Sequence, residues 1–560
     1  MGANHESEAK LQLLLQWLQV NGVELRCCTI KSCGPNKGFG VFTSCAPTED
    51  GVALVVPLDL SITPMRVLQD PYTGPRCRAM LEEGDVDDRF LIILFLTVER
   101  LRPNSSWKPY LDMLPTTFGN PLWFTEDELA ELKGTTLYRA SVLQRKNLQA
   151  LYDDKVKVLV DELLRGDERS ESLRDVQFED FLWAYSIFWT RALNIPFPRS
   201  YVFPESFGDQ SNNPACHTGH CGAFKAEMAG ETTDDRSGGT CRDNSILFGK
   251  ENSADTSSSK AGETVWVEGL VPGIDFCNHG LKPAATWDVD QMGSLTGIPS
   301  SMYLLLADPV SMEIDKEICI SYGNKGNEEL LYLYGFIIDI NPSDYLMVHY
   351  PLELLKNSPL SESKEKLLEL QKAELRCLLP RSLLDTGYHK DEVSERSSFS
   401  WSGQRKVPSY LHKLVFPQEF MAALRTIKMQ DHEIKKATSL LAELVGSIDE
   451  GQASEADVRA AVWESCGDYA ALELLVDLLR AKMMELEESS GTVENDSKLL
   501  EDFHNLELEE HMRENSSTER KGMTRNIKSC IVYRRGQKQL TSLFLKEAEQ
   551  ALELCANEQE

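Results

Sequence analysis

Apolar positions first recur at helical spacing near the start of the chain, where Leu11, Leu14, Leu15 and Leu18 share one face and predict an amphipathic helix over 8–22. Strand-like sequence follows at Thr29-Ile30-Lys31. A glycine-rich turn, Gly34-Pro35-Asn36-Lys37-Gly38-Phe39-Gly40, separates it from Val41-Phe42, and Val52–Pro57 reads as a further strand. Residues 88–101 read as a buried helix. Helical spacing then dominates from 126 to 200, with Thr125 placed to cap Glu126–Leu132 and Glu128 at the third helical position. Residues 205–262 lose all apolar periodicity to Gly, Ser, Asp, Asn and Thr, which predicts a flexible insertion. Strand signals return at Val265–Pro272, Tyr303–Ala307 and Ile318–Tyr322. After about 341 the spacing is helical again over Glu362–Leu378, Pro417–Met429, Asp431–Val445 and Tyr469–Glu488, with Pro417 well suited to a helix start. Glu488–Ser497 reads as a weakly patterned linker. The class is α+β: a strand-rich unit in two pieces, split by a helical region and an insertion, then a helical module.

Composition narrows the field. Length alone, 560 residues, suggests three or four domains, but with the strand-rich unit in two pieces, neighbouring blocks need not be separate domains. The formal charge of −30 argues against broad contact with phosphate backbone or anionic membrane and fits a basic partner better. Much of the acid lies at 446–511, where solvated helix surface is the simpler explanation. The longest apolar run, Leu91–Val98, is far short of the roughly 20 residues that cross a bilayer. The first ten residues carry two acids and no Arg, unlike a secretory signal or transit peptide. Gly2 lacks the hydroxyl residue of a myristoylation site where Glu6 stands. A cytosolic or nuclear protein with reduced thiols is expected. Cys216, His217, His220, Cys221 and Cys241 could ligate zinc, but their spacing matches no common finger, and a plain insertion without metal is the favoured reading.

Four segments carry candidate chemistry. Lys37–Phe42 holds two glycines that let backbone approach a ligand, although a tight turn explains it as well. Asp275-Phe276-Cys277-Asn278-His279 follows an apolar run, and its Asn and His offer paired donors and acceptors. Ser321-Tyr322-Gly323 and Tyr334-Gly335-Phe336 repeat a Tyr-Gly pair that could set a hydroxyl in a pocket or simply pack. Ser105–Pro115, continuing through Phe118–Trp123, reads as a packing segment pinned by aromatics and prolines.

Taken together and in order, these segments resemble the SET-domain protein methyltransferases of the Rubisco-lysine-methyltransferase type. Lys37–Phe42 resembles the N-terminal SET loop, and Trp107–Trp123 the opening of the inserted helical region. Trp189-Thr190-Arg191-Ala192 is similar to the Ser/Thr-Arg signature. Asp275–His279 and Ser321–Phe336 resemble the two C-terminal SET motifs. The tail, with Tyr533-Arg534-Arg535-Gly536-Gln537-Lys538, is similar to the substrate-binding domain. The resemblance implies an N-terminal helix at 1–22 and a SET β-core over 23–340. That core would carry a helical insertion at about 88–200 and a flexible one at about 205–262. An all-α substrate-binding domain would occupy 341–560.

The resemblance also implies S-adenosylmethionine as cofactor and a protein-lysine N-methyltransferase. Lys37, Gly38, Phe39, Thr190, Asn278, His279 and Tyr322 would hold the cofactor. Arg191, Asp275, Tyr334 and Phe336 would line the target pocket, and Tyr322 would be catalytic. No metal is implied. A protein substrate is implied, with no nucleic acid or membrane partner, and a monomer is expected. The sequence departs from the pattern at Gly280-Leu281-Lys282-Pro283, at Leu193 and in the 205–262 insertion. A histidine target, or a catalytically weak scaffold that binds a protein partner, are therefore the alternatives.

Overall fold

The computed structural model describes residues 2–34, 37–165, 175–202, 264–310, 312–356, 360–374, 376–386, 408–445, 453–512 and 524–558. Among the described residues ten strands are formed: β1 (Glu24–Leu25), β2 (Cys28–Ser32), β3 (Phe39–Thr43), β4 (Val52–Pro57), β5 (Leu193–Pro198), β6 (Thr264–Gly269), β7 (Ala285–Asp290), β8 (Ser301–Leu306), β9 (Tyr345–His349) and β10 (Arg376–Pro380). β1, β4, β8 and β7 line up in that order as one antiparallel sheet. β2–β3, β5–β6 and β9–β10 form separate two-stranded ribbons. The continuous apolar run of β4 explains its central place: Val52 to Val56 are all buried, as a strand covered on both faces must be.

The chain divides into two compact units, one made of Met1–Leu193 with Glu268–Glu560, the other of Asn194–Val267. Of the smaller unit only the two ends are described. There Ile195 and Phe197 are buried, and the Phe197 ring stacks on Tyr201 at 4.8 Å.

In the larger unit the inserted region is built on two helices. Asp88–Leu101 begins where the Asp87 carboxylate accepts from Phe90 N–H at 2.8 Å, and it buries Leu91 to Leu96. It packs on Phe178–Arg191, where the Arg100 guanidinium lies 4.1 Å from the Trp183 ring. The helix Glu126–Ala130 opens with the expected capping box, Thr125 and Glu128 each satisfying the other's backbone N–H. After 341, the helices Gln418–Lys428, Tyr469–Glu488 and Arg525–Asn557 enclose a core of Phe416, Phe420, Leu475 and Phe544. No helix among the described residues is long and apolar enough to cross a membrane.

The helix Arg525–Asn557 is fastened to the stretch 328–345 by the Tyr533–Lys538 segment. Tyr533 donates to the Glu328 carboxylate at 2.7 Å, and Arg535 pairs with Asp339. Gln537 donates to the Tyr345 carbonyl at 3.1 Å. Arg534 and Lys538 converge on Asp496, which is fully buried.

Several expectations need correction. The helix expected over Glu362–Leu378 stops at Leu370, because Lys372 takes a left-handed backbone (φ +48°) and the chain turns into β10, in register with β9. Pairing with a distant strand overrides the local helical spacing there. The helical region expected to reach 200 yields at Leu193 to β5. The expected linker Glu488–Ser497 is helical from Val493 onward. Ile318–Tyr322 is extended but is paired only through isolated bridges. Residues 205–262, with Cys216, His217, His220, Cys221 and Cys241, lie outside the described residues, as do Pro35 and Asn36.

Candidate active site

The three sequence motifs meet where Glu317–Ile320 is gripped along both edges. On one edge Ile318 N–H donates to the Val41 carbonyl at 2.7 Å, and Phe42 faces Glu317 antiparallel. On the other, Ile320 N–H donates to the Asn278 carbonyl and Gly280 N–H to the Ile320 carbonyl, each at 2.9 Å, so His279 and Ile320 run parallel. The Asn278 amide Nδ2 closes the arrangement by donating to Glu317 Oε1 at 2.7 Å and to the Phe39 carbonyl at 3.3 Å. Gly40 has no room for a side chain here: a Cβ would stand 2.6 Å from Cys33 Sγ and 2.9 Å from Glu317 Oε1. Gly38, at φ +72°, faces open space instead, leaving the turn's backbone accessible to a ligand.

Beside this crossing lies an aromatic cage. The Tyr322 and Tyr334 rings are 4.8 Å apart, and His279 lies 5.3 Å from Tyr322 and 6.0 Å from Phe336. Tyr334 and Phe336 are themselves 6.2 Å apart. The Tyr322 hydroxyl donates to the Cys277 carbonyl at 2.8 Å, so its oxygen is left free to accept. Burial pushes the Tyr322 phenol well above its ordinary value, with the Arg191 charge only partly offsetting this. The Tyr334 phenol is pushed up to about 12 by burial, aided by Glu329 and Glu268. Neither is a base near neutral pH. His279 Nδ1 accepts from Tyr322 N–H at 3.1 Å, and burial lowers the ring's pKa, so the neutral imidazole carries its proton on Nε2. The backbone that carries Tyr334 makes a π-turn over Leu330–Tyr334, ending on Gly335 at φ +74°. Such turns recur where a helix must re-aim side chains.

Behind the cage, Arg191 ends the helix Phe178–Arg191. Its Nη1 donates to the Asp275 carbonyl at 2.7 Å, and its guanidinium lies 5.0 Å from the Phe276 ring. The Asp275 carboxylate accepts from Tyr110 Oη. Burial raises the Asp275 carboxyl to about 6, opposed first by Arg191 and then by Tyr110. Arg191 Nε and Asp275 Oδ1 are both buried without a hydrogen-bond partner.

The predicted residues therefore fall into two groups. Tyr322, His279, Tyr334 and Phe336 share the cage, with Arg191 and Asp275 behind it. Lys37, Gly38, Phe39 and Asn278 gather around Glu317, to which Lys37 Nζ approaches within 3.5 Å. Thr190 differs from the others in that its hydroxyl hydrogen is spent on the Ser186 and Ile187 carbonyls of its own helix, leaving its oxygen only as an acceptor. Asn278 likewise gives its amide hydrogens to protein partners. Two residues had no assigned role in the sequence reading: Glu317, which ties Asn278 and Lys37 together, and Tyr110, which holds Asp275. Only their long-range partners reveal them. Among the described residues no cluster of His, Cys, Asp and Glu could hold a metal ion.

The fold has known counterparts. The chain superposes over 98% of its length on 92% of the SET domain of LSMT bound to lysine and AdoHcy, with a TM-score of 0.58 and 19% identity. Over 97% of its length it superposes on 93% of Rubisco LSMT bound to AdoMet, with a TM-score of 0.57 and 18% identity. The architecture is thus the SET-domain fold of the Rubisco LSMT type, the fold class that the motif order implied.

Among curated proteins, the chain is similar to the fructose-bisphosphate aldolase-lysine N-methyltransferase of Arabidopsis thaliana, with 29% identity over 32% of this chain and 35% of that protein. It is similar to the Rubisco large subunit N-methyltransferase of Pisum sativum, with 27% identity over 35% of this chain and 37% of that protein. It is also similar to the human actin-histidine N-methyltransferase, with 28% identity over 33% of this chain and 30% of that protein. The chain thus spans about a third of the length of the curated relatives it matches. No family model matches it.

Proposed function

We propose that this protein is a protein-lysine N-methyltransferase that uses S-adenosylmethionine. The observation that carries the reading is the cage of Tyr322, Tyr334, His279 and Phe336, with the Tyr322 hydroxyl hydrogen committed to the Cys277 carbonyl. The fold and the lysine methyltransferases among the relatives support it.

The residues fit the cofactor. The turn at Lys37, Gly38 and Phe39 offers open backbone, His279 offers an Nε2–H donor, and Asn278 ties the two together through the Phe39 carbonyl; Thr190 is assigned to the cofactor by the family resemblance. When bound, S-adenosylmethionine supplies a methyl group activated by a sulfonium. The chain's own part is to present a neutral amine in line with it. A lysine, with a reference pKa near 10.4, must shed a proton first, and burial between aromatic walls disfavours its charged form. Because Tyr322 Oη donates to Cys277, it can only accept from the incoming amine, which turns the amine's lone pair away from the tyrosine and toward the methyl carbon. Tyr334 and Phe336 wall the channel and stabilise cationic groups through their π faces. Arg191 and Asp275 hold the wall behind them.

The substrate in this reading is a basic protein, met by a monomer in the cytosol or nucleus. The charge of −30 supports it, together with exposed acids on Tyr469–Glu488 and Val493–Met512. A histidine target is the second reading, favoured by the similarity to actin-histidine N-methyltransferase. The test is incubation of the purified protein with methyl-labelled S-adenosylmethionine and cell-extract proteins. Label should appear as methyl-lysine with wild type and vanish with Tyr322→Phe; methyl-histidine would establish the second reading. Wild type that retains the cofactor in calorimetry yet labels nothing would be a binding scaffold. Failure to retain the cofactor would sink the assignment altogether.

A further inference from the structure

Tyr110 lies on the short helix Lys108–Leu111, in the stretch that sequence marks only for packing. Its side chain is completely buried, yet its hydroxyl is not idle: it donates to Asp275 Oδ2 across 165 residues of sequence. Its ring is stacked on Trp17 at 6.3 Å and edge-on to Phe276 at 6.4 Å. The Phe276 ring is also approached by Arg191, at 5.0 Å, and Arg191 Nη1 grips the Asp275 carbonyl. Asp275 is therefore fixed at both its side chain and its backbone, in a tight turn that leaves Gly273 at φ +108° and closes with Cys277 N–H donating to the Ile274 carbonyl at 3.0 Å. One peptide further on, the Cys277 carbonyl accepts from Tyr322 Oη.

We propose that Tyr110 is a positioning residue for Tyr322, acting through the Asp275–Cys277 turn that carries the carbonyl to which the Tyr322 hydroxyl is bound. Its catalytic importance rests on the methyl-transfer reading above; the positioning itself does not. Without the Tyr110 hydroxyl, Asp275 would keep a buried carboxylate with no side-chain hydrogen bond. Such a group rotates or draws in water rather than remain so, and it would carry the turn and the Cys277 carbonyl with it. A purely space-filling role predicts instead that the ring matters and the hydroxyl does not. The groups facing Asp275 are Tyr110 and Arg191, with the Cys277 thiol close behind. Loss of Tyr110 thus removes one of the two side chains that favour the ionised carboxylate.

The test uses the full chain labelled with 3-fluorotyrosine, the Tyr322 ¹⁹F resonance being assigned by its loss in Tyr322→Phe. Tyr110→Phe should shift the Tyr322 resonance. Asp275→Asn should shift it too, and adding Tyr110→Phe to Asp275→Asn should shift it no further. Trp17→Phe, which loosens the ring without touching the hydroxyl, should leave it in place and keep methyl transfer within about twofold of wild type. In the transfer assay, Tyr110→Phe should lower kcat about tenfold or more, with KM for S-adenosylmethionine little changed, as expected when a hydrogen bond to a charged group is lost. The acidic limb of its pH profile should move to higher pH. An unmoved Tyr322 resonance in folded Tyr110→Phe, additive shifts in the double variant, or an equal effect of Trp17→Phe would overturn the proposal. If Tyr110→Phe moves the resonance but wild type transfers no methyl group, the positioning stands and the methyltransferase reading falls.

Discussion

Asp275 and Asp496 are both buried aspartates held against an arginine, but their surroundings differ in one respect. Asp496 takes Arg534 Nε at 2.8 Å and Nη2 at 2.7 Å on one oxygen, and Lys538 Nζ at 2.6 Å on the other. Lys538 also reaches the Gly491 carbonyl at 2.6 Å, and Arg534 Nη1 reaches Glu131. Asp275 has one side-chain bond, and both its Oδ1 and the neighbouring Arg191 Nε lack partners. Buried polar atoms are nearly always satisfied. The cluster of Asp496, Arg534 and Lys538 obeys that rule, whereas the Asp275–Arg191 pair beside the aromatic cage leaves hydrogen-bonding capacity unused.

The contrast can be broken most decisively at Asp496. Asp496→Ala strands two buried cations and should cost about 3–5 kcal/mol of unfolding free energy in urea titration, whereas Asp275→Asn, which removes an ill-satisfied charge, should cost about 1 kcal/mol or less. Equal costs would mean the two carboxylates do the same job. Next in size, Tyr322→Phe should slow methyl transfer about a hundredfold, roughly 2.7 kcal/mol of barrier, with no change in the urea midpoint; a matching loss of stability would mark Tyr322 as a packing residue. Gly335→Ala should cost about 1–3 kcal/mol and slow transfer, because the new Cβ would meet Gly119 and Asn120 backbone atoms at 2.7–2.9 Å from a left-handed residue. Wild-type stability and activity in that variant would show that the π-turn adapts freely.

The smallest effects are those of pH. The Asp275 carboxyl, raised to about 6 from 3.8 by burial, binds its proton more tightly in the folded chain, so its contribution disfavours folding as pH rises from about 4 through 6. Burial pushes Asp290 the same way, but backbone N–H groups of Thr296, Leu295 and Ser294 and the Thr296 hydroxyl outweigh it and hold the carboxyl at about 2. Its stabilisation is present above 3.8 and is lost as pH falls through 2. Urea midpoints of wild type, Asp275→Asn and Asp290→Asn between pH 3 and 8 should therefore diverge in opposite directions. Parallel curves would deny both.

Much of this was legible before the structure. The β4 run, the helix at 88–101 and the Thr125 capping box are written in local spacing, and Tyr322, His279, Tyr334 and Phe336 sit in recognisable motifs. What escaped depends on partners far along the chain. Tyr110 looks like packing until Asp275 lies against it. Glu317 is one acid among many until Asn278 and Lys37 turn to it. Asp496 falls in a stretch so polar that a linker and solvated surface were the natural expectations, and β10 continues a helical spacing until β9 claims it. Each was decided by tertiary contact rather than by the residues beside it.

The Tyr533–Glu328 bond has a consequence for how the protein is made. Glu328 stands one helical turn ahead of Tyr332–Phe336 and is also bonded to Thr136 at 2.6 Å. Its anchor is on the helix Arg525–Asn557, far downstream in the chain. A nascent chain that has completed every motif of the site through Phe336 still lacks about 200 residues, and with them the clamp on the turn that aims Tyr334. The turn that aims Tyr334 would thus be clamped only after the helix Arg525–Asn557 has been made.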